Sequence, residues 1–158
     1  MTELDDFDLK ILDIVQSDNQ TPHRMIGNMV GLSVPSVARR LQRLRASGVI
    51  AADRSVLRPE SVGAMVTVIV HIAAESEAIK LLDAMKARYE ACPQVQQCYY
   101  VTGDVDFILI MATRDMQEYS ALTRSLFFVE EGNVRHFRTF VAMERVKVSL
   151  SVPINLKS

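Results

Sequence analysis

Two hydrophobic periods divide the chain. Up to residue 50 the apolar positions recur at helical spacing. Asp5 or Asp6 caps a first helix whose stripe is Phe7, Ile11, Ile14 and Val15, and Ser17-Asp18-Asn19-Gln20 stops it. Thr21-Pro22 starts a second helix, because threonine caps and proline fits a first turn where its missing N–H costs nothing. Met25, Ile26, Met29 and Val30 form its apolar side. Gly31-Leu32-Ser33 is a tight turn with Ser33 as the next cap, and Val34, Val37, Leu41 and Leu44 carry a third helix to Ser47-Gly48.

Beyond Ser55–Leu57, a short strand or linker, and the break at Arg58-Pro59-Glu60, the period becomes that of strands. Residues 64–73 are rich in β-branched side chains and predict a strand. Residues 75–89 predict a helix with Ala78, Leu81, Leu82, Met85 and Tyr89 on one face. Strands over 95–102 and 105–112 flank a Gly103-Asp104 turn. Asp115-x-x-Glu118 opens a helix carrying Met116, Tyr119, Leu122 and Leu126, and Gly132-Asn133 leads into a last strand over 134–148. The order β-α-β-β-α-β is that of a ferredoxin-like unit, so the expected class is α+β. The expected boundaries are a helix-turn-helix domain at 1–52, a linker strand at 53–62 and a second domain at 63–158.

Strand composition adds a constraint. Residues 65–72 and 107–112 are apolar on both faces, yet two helices cover one face only. No loop is long enough to fold over the other. A second copy of the same sheet is the expected cover, which makes the chain a homodimer.

Composition removes several classes. The 158 residues are 49% hydrophobic and 23% charged, a mix that suits a globular chain and not a disordered one. No apolar run approaches a membrane span, and the acidic start predicts no secretory leader, so a cytoplasmic protein without membrane partner is expected. Cys92 and Cys98 form no metal or redox motif. His23, His71 and His136 are scattered, and no nucleophilic triad or phosphate loop stands out, so neither metal, cofactor nor catalytic residue is expected. Met25, Met29, Met65, Met85 and Met111 sit on apolar stripes and read as packing.

The formal charge of -1 conceals segregation. Residues 1–18 hold one lysine and six acids; residues 19–52 hold Arg24, Arg39, Arg40, Arg43 and Arg45 and no acid. On the third helix Val37, Leu41 and Leu44 share one side, Arg39 and Arg43 point away, and Ser36 and Arg40 flank. Such a face can be a plain solvated surface. Preceded by two helices and a tight turn, it has the layout of a helix-turn-helix reading a major groove. The candidate contacts with double-stranded DNA are Ser33, Val34, Pro35 and Ser36 at the helix start, where close approach and phosphate are favoured, with Arg39, Arg40 and Arg43. Arg40, nearer the core, suits a structural or a phosphate contact equally.

The sequence resembles the Lrp/AsnC family of leucine-responsive, or feast/famine, regulators. The matching residues are Leu4-Asp5-x-x-Asp8-x-x-Ile11-Leu12, Gly31-Leu32-Ser33-x-x-Ser36-Val37-x-x-Arg40-Leu41-x-x-Leu44 and Gly48-Val49-Ile50. The second half adds Val101-Thr102-Gly103-Asp104-x-Asp106-Phe107, Arg114-Asp115-Met116 and Glu144-Arg145-Val146-Lys147. The resemblance implies a winged-type helix-turn-helix joined by a strand to a βαββαβ regulatory (RAM) domain, and dimers paired through their sheets that often assemble into octamers. It also implies transcriptional regulation by a small effector, commonly an amino acid. Three stretches depart from the family pattern: Pro22-His23-Arg24-Met25-Ile26, Ala51-Ala52-Asp53, and a longer turn at residues 128–133.

The expected effector loop has suitable chemistry for a zwitterion. Asp104 and Asp106 can accept from an ammonium, and backbone N–H groups around Thr102 and Gly103 can donate to a carboxylate. Thr139, matching a family Thr/Ser position, adds a hydroxyl, and Tyr99, Tyr100, Val101 and Val141 are candidate walls. A bare hairpin turn would look the same at Gly103-Asp104. Two alternatives remain: a nucleoid-type octamer wrapping DNA with little sequence preference, and an enzyme like the haem-pathway decarboxylases that resemble this family, using His136, Arg135 and Arg138.

Overall fold

The computed structural model describes residues 3–64, 66–130 and 132–155. Met65, expected in the first strand, and Glu131, expected in the last turn, lie outside the described residues. Contacts divide the chain into two units: the chain up to Val56 together with the segment from Lys147, and Leu57–Val146.

The first unit is built on three helices, α1 (Asp6–Ser17), α2 (His23–Val30) and α3 (Val34–Ala46). Asp5 caps α1: its carboxylate accepts from Asp8 N–H at 2.8 Å, and the Asp8 carboxylate accepts from Asp5 N–H at 3.2 Å. This reciprocal pair satisfies N–H groups left over at the helix start and places negative charge at the positive end of the dipole. Ser33 caps α3 by accepting from Ser36 N–H, with Pro35 in the first turn. Ile11, Ile26, Val30, Val37, Leu41 and Leu44 form the core. Gly31 ends α2 at φ 76°, as the turn chemistry predicts. Gly27 imposes a second constraint: a Cβ there would lie 2.4 Å from the Leu32 carbonyl oxygen, so α2 and the turn touch backbone to backbone.

Several expected details differ. The start of α2 is capped by Pro22 without a side-chain bond, and the Thr21 hydroxyl instead donates to the Asp18 carbonyl. Met25 and Met29 are exposed and do not pack; an eight-residue helix buries only Ile26, Gly27 and Val30 against its neighbours. Phe7 and Val34 are also exposed at their ends of the stripes. No strand forms at Ser55–Leu57, since no neighbouring strand offers a ladder there; residues 51–58 are irregular and a 3₁₀ turn follows at Pro59–Val62. The segment beyond Lys147 returns to α1, where the Gln16 side chain accepts from Val152 N–H and donates to Val152 carbonyl, both at 3.0 Å.

The second unit runs β1 (Val66–Ala74), α4 (Ile79–Glu90), β2 (Val95–Tyr100), β3 (Phe107–Thr113), α5 (Met116–Phe127) and β4 (Val134–Val141). The sheet is antiparallel in the order β2-β3-β1-β4, which is the expected βαββαβ arrangement. One face carries Val68, Val70, Ile72, Phe107, Leu109 and Met111, buried under Leu82, Met85 and Tyr89 of α4 and Tyr119, Leu126 and Phe127 of α5. Asp115 caps α5, while Glu118 reaches back to Arg114 N–H at 2.7 Å and not to the cap residue. The other face presents Ile69, Ile108 and Ile110, half-buried, with Phe140 exposed beside His71.

Three boundaries move. The helix α4 begins at Ile79 and not at residue 75. The hairpin connection spans residues 101–106, six residues closed by Val101 N–H to Asp106 carbonyl at 2.8 Å, not the expected two-residue turn. The last strand stops at Val141, after which Ala142 N–H donates to the Thr67 carbonyl and the chain becomes irregular.

Gly27→Ala tests the backbone contact. The added methyl must displace the Leu32 carbonyl, a clash of the overpacking kind that costs about 1–3 kcal/mol. A matching fall in the denaturant midpoint is expected, whereas Gly48→Ala meets no neighbour and registers only its positive-φ strain.

Candidate functional site

The candidate DNA-contact face of α3 depends on how its arginines are held. Val37, Leu41 and Leu44, all within 2% of full burial, fix the inner side of the helix. The outer side is not uniformly free. Arg40 donates from Nη1 to Asp5 at 2.7 Å and to Asp8 at 2.8 Å. Arg43 donates from Nη2 to the other Asp8 oxygen. The Asp8 side chain is 1% accessible, against 46% for Arg43 and 21% for Arg40. Two carboxylates and two guanidinia therefore form one neutral group across α1 and α3. The Arg40 guanidinium also lies over the Phe7 ring at 5.4 Å, which accounts for the exposed phenylalanine.

This alters the helical-wheel expectation for Arg43. The period places it outward, and the acidic start of the chain reaches round to meet it. Arg45 likewise pairs with Asp53 at 2.8 Å. Among the described residues Arg39 and Arg24 make no ion pair, and both are exposed. Arg39, Arg40 and Arg43 line a shallow depression of about 220 Å³. Ser33, Val34, Pro35 and Ser36 stand together at the start of α3, with Ser33 Oγ donating to Ser36 Oγ at 3.0 Å. Sequence reasoning missed Asp5 and Asp8 as partners of the arginines; the available signal was their three-residue spacing at a helix start, in the one segment rich in acids.

The expected effector residues are only partly brought together. Val101, Thr102, Gly103, Asp104 and Asp106 share the 101–106 loop. Asp104 is exposed and makes no bond among the described residues, so its carboxylate is available. Asp106 is committed: its N–H donates to the Ile72 carbonyl and its Oδ2 accepts from Ala74 N–H at 2.7 Å. It pins the loop to the end of β1. Tyr99 faces the open side of the sheet, bonded to Gln97, while Tyr100 faces the helix side against Phe107 with Lys86 over its ring. The two tyrosines cannot wall one pocket within a chain. Thr139 and Val141 lie on β4, with β1 and β3 between them and β2, and Thr139 is hydrogen-bonded to the Tyr119 hydroxyl.

A cavity of about 570 Å³ lies elsewhere in this unit, lined by Glu75, Lys80, Leu81, Phe127, Val129 and Asn133 among others. No period or motif in the sequence marks it. The Asn133 side chain fixes its floor, accepting from Ser76 N–H and donating to Ser76 carbonyl, both at 2.9 Å, from a backbone at φ 53°.

Comparison with known proteins agrees with this geometry. Residues 4–45 match the AsnC-type helix-turn-helix domain, and residues 67–152 match the Lrp/AsnC ligand binding domain. An uncharacterized HTH-type transcriptional regulator of Sinorhizobium fredii is 43% identical over 98% of this chain and 90% of its own length. A crystal structure of an AsnC family transcriptional regulator from Agrobacterium tumefaciens superposes with a TM-score of 0.86 at 31% identity, covering 95% of this chain and 97% of that one. A Neisseria meningitidis transcriptional regulator solved as an L-Met complex gives 0.85 at 25% identity, over 97% and 98%.

Acid tests the aspartate clamp. Asp5 ionises below the ordinary carboxylate range, first because Asp8 N–H donates to it and then because Arg40 does. Its folded-state value lies below the unfolded one, so its contribution to stability is complete above about pH 4 and is lost as pH falls through the folded value. Far-UV circular dichroism melts taken downward from about pH 5 should show Tm falling below about pH 4, with a shallower fall for Asp5→Asn.

Proposed function

Because the chain belongs to the Lrp/AsnC family of transcriptional regulators, we propose that it binds duplex DNA through α3 as a homodimer and responds to a small amino-acid-like effector held by its second unit. The helix-turn-helix and the ligand-binding domain are both present. The family is one of regulators, so the decarboxylase-like use of His136, Arg135 and Arg138 falls away.

The observation that carries the DNA reading is Arg39. It is an exposed guanidinium without an ion pair among the described residues, on the outer side of a helix whose inner side is locked by Val37, Leu41 and Leu44. Ser33, Val34, Pro35 and Ser36 form the approach to the groove, and the first-turn N–H groups suit phosphate. Arg40 and Arg43 border this surface from their ion pairs.

The dimer reading rests on the uncovered sheet face with Ile69, Ile108, Ile110 and Phe140. Covering such a face by its own copy removes the cost of leaving it wet. Further assembly toward an octamer supplies the remaining walls of an effector site that one chain leaves open: the free Asp104 and the Gly103 N–H region belong to one loop, while Thr139 and Val141 lie on another strand. The L-Met in the Neisseria relative supports an amino acid as effector. An effector that prefers one assembly shifts the population toward it, and DNA binding with it. The expected setting is the cytoplasm.

Arg39→Ala should weaken duplex binding by about 1–3 kcal/mol and flatten the salt dependence by about one unit of slope per engaged helix, read by fluorescence anisotropy at several salt concentrations. Unchanged binding removes the assignment of α3 as the reading element. For the effector, thermal shift with each of the twenty amino acids should single out a ligand that raises Tm, and Asp104→Ala should abolish the rise. A rise that survives the substitution moves the ligand away from the 101–106 loop.

A further inference from the structure

The neutral group of Asp5, Asp8, Arg40 and Arg43 sits at the edge of the DNA-facing surface. We propose that Asp8 is a positioning residue for DNA binding: its buried carboxylate competes with DNA phosphate for Arg43, and so sets how strongly the chain binds DNA irrespective of sequence. The inference rests on the DNA reading above and deepens it.

Three observations support it. First, the two Asp8 oxygens serve different arginines, Oδ1 taking Arg40 and Oδ2 taking Arg43. Arg40 has a second carboxylate in Asp5, whereas Asp8 supplies the only ion pair of Arg43 among the described residues. Removing Asp8 therefore releases Arg43 while Arg40 stays tied. Second, the burial is asymmetric. Asp8 is held by the helix cap and the arginines and cannot turn to water, while nearly half of the Arg43 side chain remains accessible. The carboxylate is fixed and the guanidinium is the part that can exchange. Third, Arg43 lines the same depression as Arg39, so a phosphate seated beside Arg39 lies within the reach of a released Arg43.

Electrostatics gives the direction. A guanidinium already matched to a carboxylate adds little net attraction for phosphate, and its engagement releases few counterions. Of the three arginines in the depression, Arg39 alone then supplies full charge. The arrangement lowers sequence-independent affinity, which keeps a regulator from being absorbed by bulk DNA.

The test uses the full chain and a short duplex of random sequence, with anisotropy titrations between about 50 and 200 mM salt. Asp8→Ala should tighten binding at the low-salt end by about threefold to tenfold and steepen the slope of log K against log salt by about one per engaged helix. Adding Arg43→Ala to Asp8→Ala should return both to wild-type values. Arg43→Ala alone should change the slope by less than half as much as Arg39→Ala does. A slope unaltered by Asp8→Ala in a chain that retains its helical circular dichroism overturns the inference. So does an Arg43→Ala effect equal to that of Arg39→Ala, and that comparison decides the matter alone should Asp8→Ala not fold. A wild-type chain with no salt-dependent duplex binding sinks the DNA reading itself, a failure distinct from either of these.

Discussion

The union of α1 with α3 through Asp5, Asp8, Arg40 and Arg43 is the constraint on which the proposed DNA-binding surface depends. A buried carboxylate such as Asp8 is costly unless its oxygens are matched, and here both are taken. The same two aspartates close the start of α1, so helix initiation and helix packing share one set of atoms. The apolar stripe of α3 fixes which side of the helix faces inward, and the ion pairs tie its outer edge to the start of α1.

The second unit shows a different balance. Its helix-covered face is a sealed core from Val68 to Met111, whereas its other face remains half-buried in a single chain. Strand β1 lies between β3 and β4, with Val68, Val70 and Ile72 on its helix side and Ile69 between Thr67 and His71 on the side that a single chain leaves uncovered. The loop over 101–106 is fixed at one point by Asp106 and left open at Asp104. A pinned base with a free carboxylate suits a loop that must present a charge without itself collapsing.

Much of this was legible in the order of residues. The stripe of Val37, Leu41 and Leu44 marks a buried face because burial repeats with the period of the element, whereas residues 107–112 read as apolar on both faces and the fold alone selects Phe107, Leu109 and Met111 for the core. The caps at Ser33 and Asp115, and the first at Asp5 or Asp6, were legible for a local reason: each is a contact within four residues, and the fold selects Asp5. What escaped is non-local. The pairing of Arg43 with Asp8 spans 35 residues, and no periodicity encodes it. Met25 and Met29 fit the helical stripe of α2, but so short a helix has fewer neighbours than its stripe has positions. The opposite placement of Tyr99 and Tyr100 follows from the alternation of a strand, and gathering them as one pocket overlooked it. Val146, Val148, Leu150 and Val152 alternate like a strand and remain exposed, since alternation describes a face and not the partner that covers it.

The return of Ser151 and Val152 to Gln16 means that the helix-turn-helix unit is not contiguous along the chain. A fragment ended after α3 carries every proposed DNA contact yet leaves the amide of Gln16 without its peptide partner. Fusions and purification handles attached at the carboxyl end fall close in sequence to the stretch that lies on α1. Dissecting this molecule into a reader and a sensor by a single cut therefore separates atoms that belong together, and internal excision of the middle segment respects its anatomy better.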